Sequence, residues 1–148
     1  MEHTYDVTVE WKRDRKGILS SSVLPTSFEV ATPPEFPKGM PDIWSPEHLL
    51  VAAVNSCLMT TFLAIAENSK LSFSHFGCSA YGKLETVEGK LMISGVVLKP
   101  VVTIPSEADR ERTLRILQKA EANCLISNSI KSKTEMTAEI RVEAEVAA

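Results

Sequence analysis

The sequence predicts an α+β fold, with helices laid on antiparallel sheets, and three observations predict it. One stretch, Ser45 to Glu67, is apolar around nearly its whole circumference when wound as a helix. The runs before and after it alternate apolar and polar residues with the period of strands. Strand runs and helical runs are also segregated, in the order βββ, α, ββ, α, β, which is the α+β pattern and not the one-for-one alternation of a parallel α/β sheet. The 148 residues are expected to form one domain, 1–148, without internal repeats.

Val7, Val9 and Trp11 share one face of a first strand, expected to be half-buried. The polar turn Lys12 to Gly17 returns the chain as a hairpin through Ile18 to Val23, and Phe28 and Val30 mark a third strand. Thr32 to Trp44 holds four prolines and one glycine, so it reads as a stiff loop that blocks sheet pairing. Ser45 is then a helix N-cap, with Pro46 at the first helical position and Glu47 in the first turn, where a negative charge suits the helix dipole. Leu71 to Thr86 reads as a strand, turned by Glu88-Gly89 into Lys90 to Ile104, which is apolar on both faces and expected to be buried on two sides. Ser106, with Asp109 in a capping-box-like position, opens a second helix whose stripe is Leu114, Leu117, Ala120 and Cys124. Met136, Ala138, Ile140, Val142, Ala144 and Val146 alternate as a final strand.

A net charge of −3, with no large Lys/Arg cluster, gives no electrostatic case for a nucleic-acid partner. Leu49 to Ala66 has 18 residues without a formal charge, the lower edge of a membrane span. Asn55, Ser56, Thr60 and Thr61 interrupt it and glutamates flank it, which argues for a buried helix and no membrane partner. A helix apolar on every side is covered by one sheet on one side only, so a second copy of the chain is the expected cover for the other. The N-terminus has no apolar run of a signal peptide, so a cytoplasmic location is expected. Three cysteines make no disulfide framework, and no Cys/His spacing suggests a metal; no cofactor is expected.

Cys57 lies mid-way along the first helix and Cys124 at the end of the second. Both helices must pack on the sheet, so the thiols can meet, although two unpaired cysteines also serve as small buried hydrophobes. Each has polar neighbours: Asn55, Ser56, Thr60 and Thr61 around Cys57, and Asn123 and Ser127 to Ser129 around Cys124. These either bond the backbone one turn back or line a small polar cavity. Cys78, in a strand, reads as a structural thiol; His3, His48 and His75 have no visible triad or ligand partner; Trp11 and Trp44 read as packing residues.

Together, SPEHLLVAAVNSC (45–57) and NCLISNSIK, whose Cys124 falls 67 residues after Cys57, resemble the OsmC/Ohr family of thiol-dependent peroxidases. The resemblance covers most of the chain. It implies an intertwined homodimer with long central helices between antiparallel sheets, and a peroxiredoxin-like antioxidant role in oxidative stress. It implies that Cys57 is the peroxidatic and Cys124 the resolving cysteine, that Glu47 is the family's acidic residue, and that Arg15, or else Arg13, is its arginine. By itself KRDRKG is an ordinary charged turn.

Those roles are chemically coherent. A buried thiol is reluctant to ionise, whereas the thiolate is the nucleophile. A guanidinium stays charged when buried and favours the anion, and a carboxylate can hold it bidentately. The thiolate would attack an organic hydroperoxide, or hydrogen peroxide, to give a sulfenic acid; Cys124 would trap this as a disulfide; an external dithiol, lipoyl or thioredoxin-like, would reduce it. Leu58, Met59, Phe62 and the Phe36 loop would supply apolar walls favouring organic substrates. On a continuous helix Glu47 lies about 15 Å of rise and ~80° round from Cys57. The site is therefore expected at a dimer interface, with Arg15 and Glu47 from one chain and Cys57 and Cys124 from the other. The long proline-rich approach departs from the pattern expected of the peroxidase branches. It leaves an alternative: a binding or redox-sensing protein with an apolar interface cavity and little turnover.

Overall fold

The computed structural model describes residues 1–143; Ala144 and Val146 of the predicted last strand lie outside them. The elements are β1 (Thr8–Arg13), β2 (Lys16–Ser21), β3 (Leu24–Ala31), α1 (Pro46–Asn68), β4 (His75–Val87), β5 (Lys90–Ile104), α2 (Arg110–Ala122), β6 (Lys133–Met136) and β7 (Glu139–Val142). Short 3-10 turns occupy Glu107–Asp109 and Ser127–Ser129. This mixed α+β architecture falls into two compact units, Met1–Leu50 and the residues from Val51 onward.

The first unit is an antiparallel meander in the order β1-β2-β3. Asp14 adopts a left-handed conformation (φ 48°) in the β1–β2 turn, which a short polar side chain tolerates, and the Trp11 indole donates to its carbonyl at 3.0 Å. Gly17 pairs with Trp11, and a Cβ there would meet the Glu10 carbonyl oxygen at 2.8 Å. The proline-rich loop is pinned at both ends: Ala31 N–H donates to the Trp44 carbonyl (2.8 Å) and Met40 N–H to that of Thr32 (2.9 Å). The alternation of β1 is real, yet every β1 residue is exposed, so the expected half-burial is absent within one chain. Val9, Trp11, Leu24 and Phe28 stay open to solvent.

Helix α1 begins as its sequence dictates. The Ser45 hydroxyl accepts from His48 N–H at 3.1 Å and also contacts His48 Nδ1 at 2.7 Å. In the second unit, α1 buries Val54, Cys57, Leu58, Phe62 and Ala66, while Met59 and Leu63 are each 38% exposed. One face is thus sealed by the chain itself and another is not. By length and composition α1 could cross a membrane, a test that a core helix also passes.

The long antiparallel β4–β5 pair forms the centre of the second sheet. Its turn uses Glu88 (φ 51°) and Gly89 (φ 79°), the two left-handed residues that a tight hairpin requires. Burial of β5 is one-sided: Val96, Leu98, Pro100, Val102 and Ile104 are sealed, whereas their neighbours are only half-buried or exposed. The predicted final strand is two strands, β6 and β7, and both run parallel to β5. The reason lies on β5. Pro100 has no N–H to give to a neighbour, and pairing stops at Leu98–Met136 and resumes at Val101–Glu139 on either side of it.

Helix α2 packs Thr113, Ile116, Leu117 and Ala120 inward. Ser106 caps the preceding 3-10 turn through Ala108 N–H (3.3 Å), while Asp109 makes no side-chain cap and lies 3.6 Å from Arg112. The core joins Leu58 and Phe62 of α1, Val102 and Ile104 of β5, Leu117 of α2 and Val142 of β7. The Phe62 ring lies 5.3 Å from Phe73 and 5.0 Å from Phe76. Phe62→Ala is expected to lower unfolding free energy by about 3–5 kcal/mol in urea titrations, and Leu91→Ala, on an exposed end of β5, by less than about 0.5 kcal/mol.

Candidate functional site

Two thiols meet where the end of α2 reaches the middle of α1. Cys57 faces inward between Val54 and Leu58 and is 9% exposed; Cys124 is 1% exposed; neither is in a disulfide. Cys124 arrives just past the α2 C-cap, where Asn123 N–H and Nδ2 both donate to the Lys119 carbonyl and Cys124 N–H donates to that of Glu121 at 3.3 Å. The chain then turns through Leu125 and Ile126. Asn128 N–H closes the turn onto the Cys124 carbonyl (3.1 Å), and Ile126 and Ile130 pack against the core.

This turn supplies the electrostatics. Burial pushes the Cys57 thiol up, as desolvation of an anion must. Hydrogen bonds from the Cys124 side chain, Ile126 backbone, Thr61 side chain and Leu125 backbone outweigh it and leave Cys57 below its ordinary value. None of these groups is a cation. Cys78 goes the other way: burial raises it, more than its bond with the Lys99 backbone lowers it. Its sulfur sits 3.7 Å from the Ser79 carbonyl oxygen, and its own carbonyl accepts from Asn55 Nδ2 at 2.9 Å. These bonds suit a structural strand position.

Arg15 is exposed in the β1–β2 turn and lines an open recess of about 490 Å³ with Trp11, Gly17, Thr32 and Pro46. Arg13 is exposed at the end of β1. Glu47 is half-buried, with Oε1 fully enclosed and, among the described residues, without a hydrogen-bond partner. Among the described residues no ion pair joins Arg15 to Glu47. Leu58 and Phe62 are sealed in the core, so within the chain Met59 is the exposed one of the three expected wall residues. Phe36 is half-buried in its loop. Trp11 and Trp44 are 76% and 53% exposed, not packed within the chain, and Trp44 meets the His48 ring edge-on at 6.2 Å. Among the described residues no group of three or more His, Cys, Asp or Glu can hold a metal. The Leu125 and Ile126 amides are invisible to a reading of the sequence, because a backbone donor carries no side-chain signature.

A protein-family model described as OsmC-like protein matches residues 39–139. The chain is 23% identical over 147 residues to the uncharacterized protein YmaD of Bacillus subtilis, covering 96% of each. Among solved structures, an OsmC-like protein of unknown function from Vibrio cholerae superposes with a TM-score of 0.84 at 23% identity, covering 93% of this chain and 99% of that one. An organic hydroperoxide resistance protein OsmC from Legionella pneumophila gives 0.73 at 21%, covering 95% and 98%. A protein titled organic hydroperoxide resistance protein from Elizabethkingia anophelis gives 0.72 at 21%, covering 96% and 98%.

The donor set predicts the pH response of Cys57. Removing a donor to the anion raises the pKa, so Cys124→Ala is expected to move the pH midpoint of Cys57 alkylation upward, whereas Cys124→Ser, which keeps an O–H donor, moves it less. Peptide mapping after iodoacetamide labelling at stepped pH checks this.

Proposed function

Because the chain belongs to the OsmC-like family, we propose that it is a cytoplasmic thiol peroxidase that reduces organic hydroperoxides through Cys57 and Cys124. The observation that carries this reading is the buried thiol pair in which the helix-borne sulfur is biased toward its anion. The solved relatives titled organic hydroperoxide resistance proteins support the substrate class. The Cys57 thiolate attacks one peroxide oxygen, the O–O bond breaks, and the departing alkoxide takes a proton to leave as alcohol. Cys57 is then a sulfenic acid. The Cys124 thiol attacks that sulfur, the S–O bond breaks, and the hydroxide leaves with the thiol proton as water, giving the Cys57–Cys124 disulfide. An external dithiol reduces it by exchange, itself becoming a disulfide.

The working unit in this reading is a homodimer of 148-residue domains. Met59 and Leu63 on α1, and the open apolar face of the first sheet, are the surfaces a second copy would cover. In this reading Arg15 of one chain supplies a cation for Cys57 of the other, and Glu47, whose enclosed Oε1 has no hydrogen-bond partner among the described residues, orients it. One observation favours the rival reading of a redox-sensing protein with little turnover: the donors acting on Cys57 are all neutral.

Single-turnover thiol titration with cumene hydroperoxide separates these readings. The peroxidase loses two thiols, Cys57→Ser loses none, and Cys124→Ser yields a sulfenic acid at Cys57 that dimedone traps. Arg15→Ala is expected to slow peroxide consumption by about 100-fold without changing the fold. Disulfide formation without catalytic turnover under excess dithiol would favour the sensor.

A further inference from the structure

Three hydroxyl side chains flank Cys57 on α1, and two of them are spent on the helix itself. Ser56 Oγ donates to the Ala52 carbonyl at 2.7 Å, and Thr60 Oγ1 donates to the Cys57 carbonyl at 3.2 Å. This is the usual fate of such residues inside a helix. Thr61 departs from it. Its hydroxyl lies 3.9 Å from Cys57 Sγ, and among the described residues that sulfur is its one hydrogen-bond partner. The spacing of four puts the two side chains on one helix face, and Thr61 is only half-buried, beside a sulfur that is 9% exposed.

We propose that Thr61 is a thiolate-stabilising residue, whose hydroxyl donates to the Cys57 anion. This rests on the reading of Cys57 as the attacking sulfur. The other donors all ride on the turn that carries Cys124, and the Cys124 S–H is itself consumed when the disulfide forms. Thr61 alone shares a rigid element with Cys57, so its bond does not depend on where that turn sits. A hydroxyl also accepts as readily as it donates. It can receive the S–H of the resting thiol, donate to the thiolate, and receive the O–H of the sulfenic acid, with no rearrangement beyond rotation of its own hydrogen. At 3.9 Å the contact is long, and it shortens when the sulfur carries charge, as charge-assisted bonds do.

Cys124 is the titratable group that acts on the Cys57 sulfur; the packed elements also carry Arg115, Lys119 and Glu121 on α2 and His75, Cys78 and Tyr81 on β4. The test therefore uses full-length protein carrying Cys78→Ser and Cys124→Ser, so that Cys57 is the one thiol and Glu121 is common to every variant. Iodoacetamide alkylation is followed from pH 5 to 10, and peroxide consumption is followed in parallel with both cysteines restored. Thr61→Val, which keeps the shape and removes the hydroxyl, is expected to lower the alkylation rate at pH 7 about tenfold and to shift the profile to higher pH. Thr61→Ser, which keeps the hydroxyl, stays within about twofold of the parent. An unchanged profile in Thr61→Val overturns the proposal, and so does a Thr61→Ser profile that matches Thr61→Val, since the methyl group would then be what matters. Wild-type protein that consumes no peroxide, with Thr61→Val still shifting the alkylation profile, overturns the peroxidase reading and leaves the hydroxyl's role standing.

Discussion

The proposed chemistry depends on making a sulfur anion tolerable where α1 packs on a largely apolar core. Burial alone works against it, and burial is the largest influence on the Cys57 thiol. Burial disfavours the anion, and each hydrogen bond to a charged group contributes only roughly 1.5–3 kcal/mol against it. Several must converge, and four groups do: a thiol, a hydroxyl and two backbone amides. Everything that brings the end of α2 to the middle of α1 therefore bears on the chemistry. Leu58 and Phe62 on one helix and Leu117 and Ala120 on the other belong to one continuous core, and that packing sets where the two sulfurs meet.

The turn after α2 has to satisfy two demands at once. It must end a helix, which leaves carbonyls to be capped, and it must leave amides pointing at Cys57. Asn123 meets the first demand by donating twice to the Lys119 carbonyl. The second is met because Asn128 and Ser129, not Leu125 and Ile126, close the following 3-10 turn. Ile126 and Ile130 then fix the turn by packing on the core, so the donors are held by apolar burial at some distance from the sulfur. Downstream, Pro100 decides how the chain finishes, because its missing N–H divides the strands that flank β5.

What could be read in advance follows from where each cause lies. The Ser45 cap, the Glu88-Gly89 turn and the two thiols on helical faces have causes within a few residues of their effects, and the sequence displays them. The division of the last strand has its cause on β5, more than thirty residues away, and nothing in Thr137-Ala138 announces it. The inward face of α1 was hidden for the opposite reason. A helix apolar on every side offers no contrast by which to choose Leu58 and Phe62 for the core over Met59 for the surface. Strand β1 shows that alternation predicts an apolar face and says nothing of what covers it. The Leu125 and Ile126 donors belong to the backbone, which every sequence has, so only the path of the chain reveals them.

Glu47 links the unfinished parts of the site. An enclosed carboxylate oxygen without a hydrogen bond costs the chain on the order of 1–3 kcal/mol, and more when charged. Such a cost persists only where something repays it. In the proposed dimer the repayment and the chemistry would coincide, because a guanidinium that satisfied Glu47 would also bring a cation to the neutral donor set on Cys57. The same association would cover Met59, Leu63 and the apolar face of the first sheet. In that reading assembly and activation would be one event, since pairing would complete both the carboxylate and the sulfur.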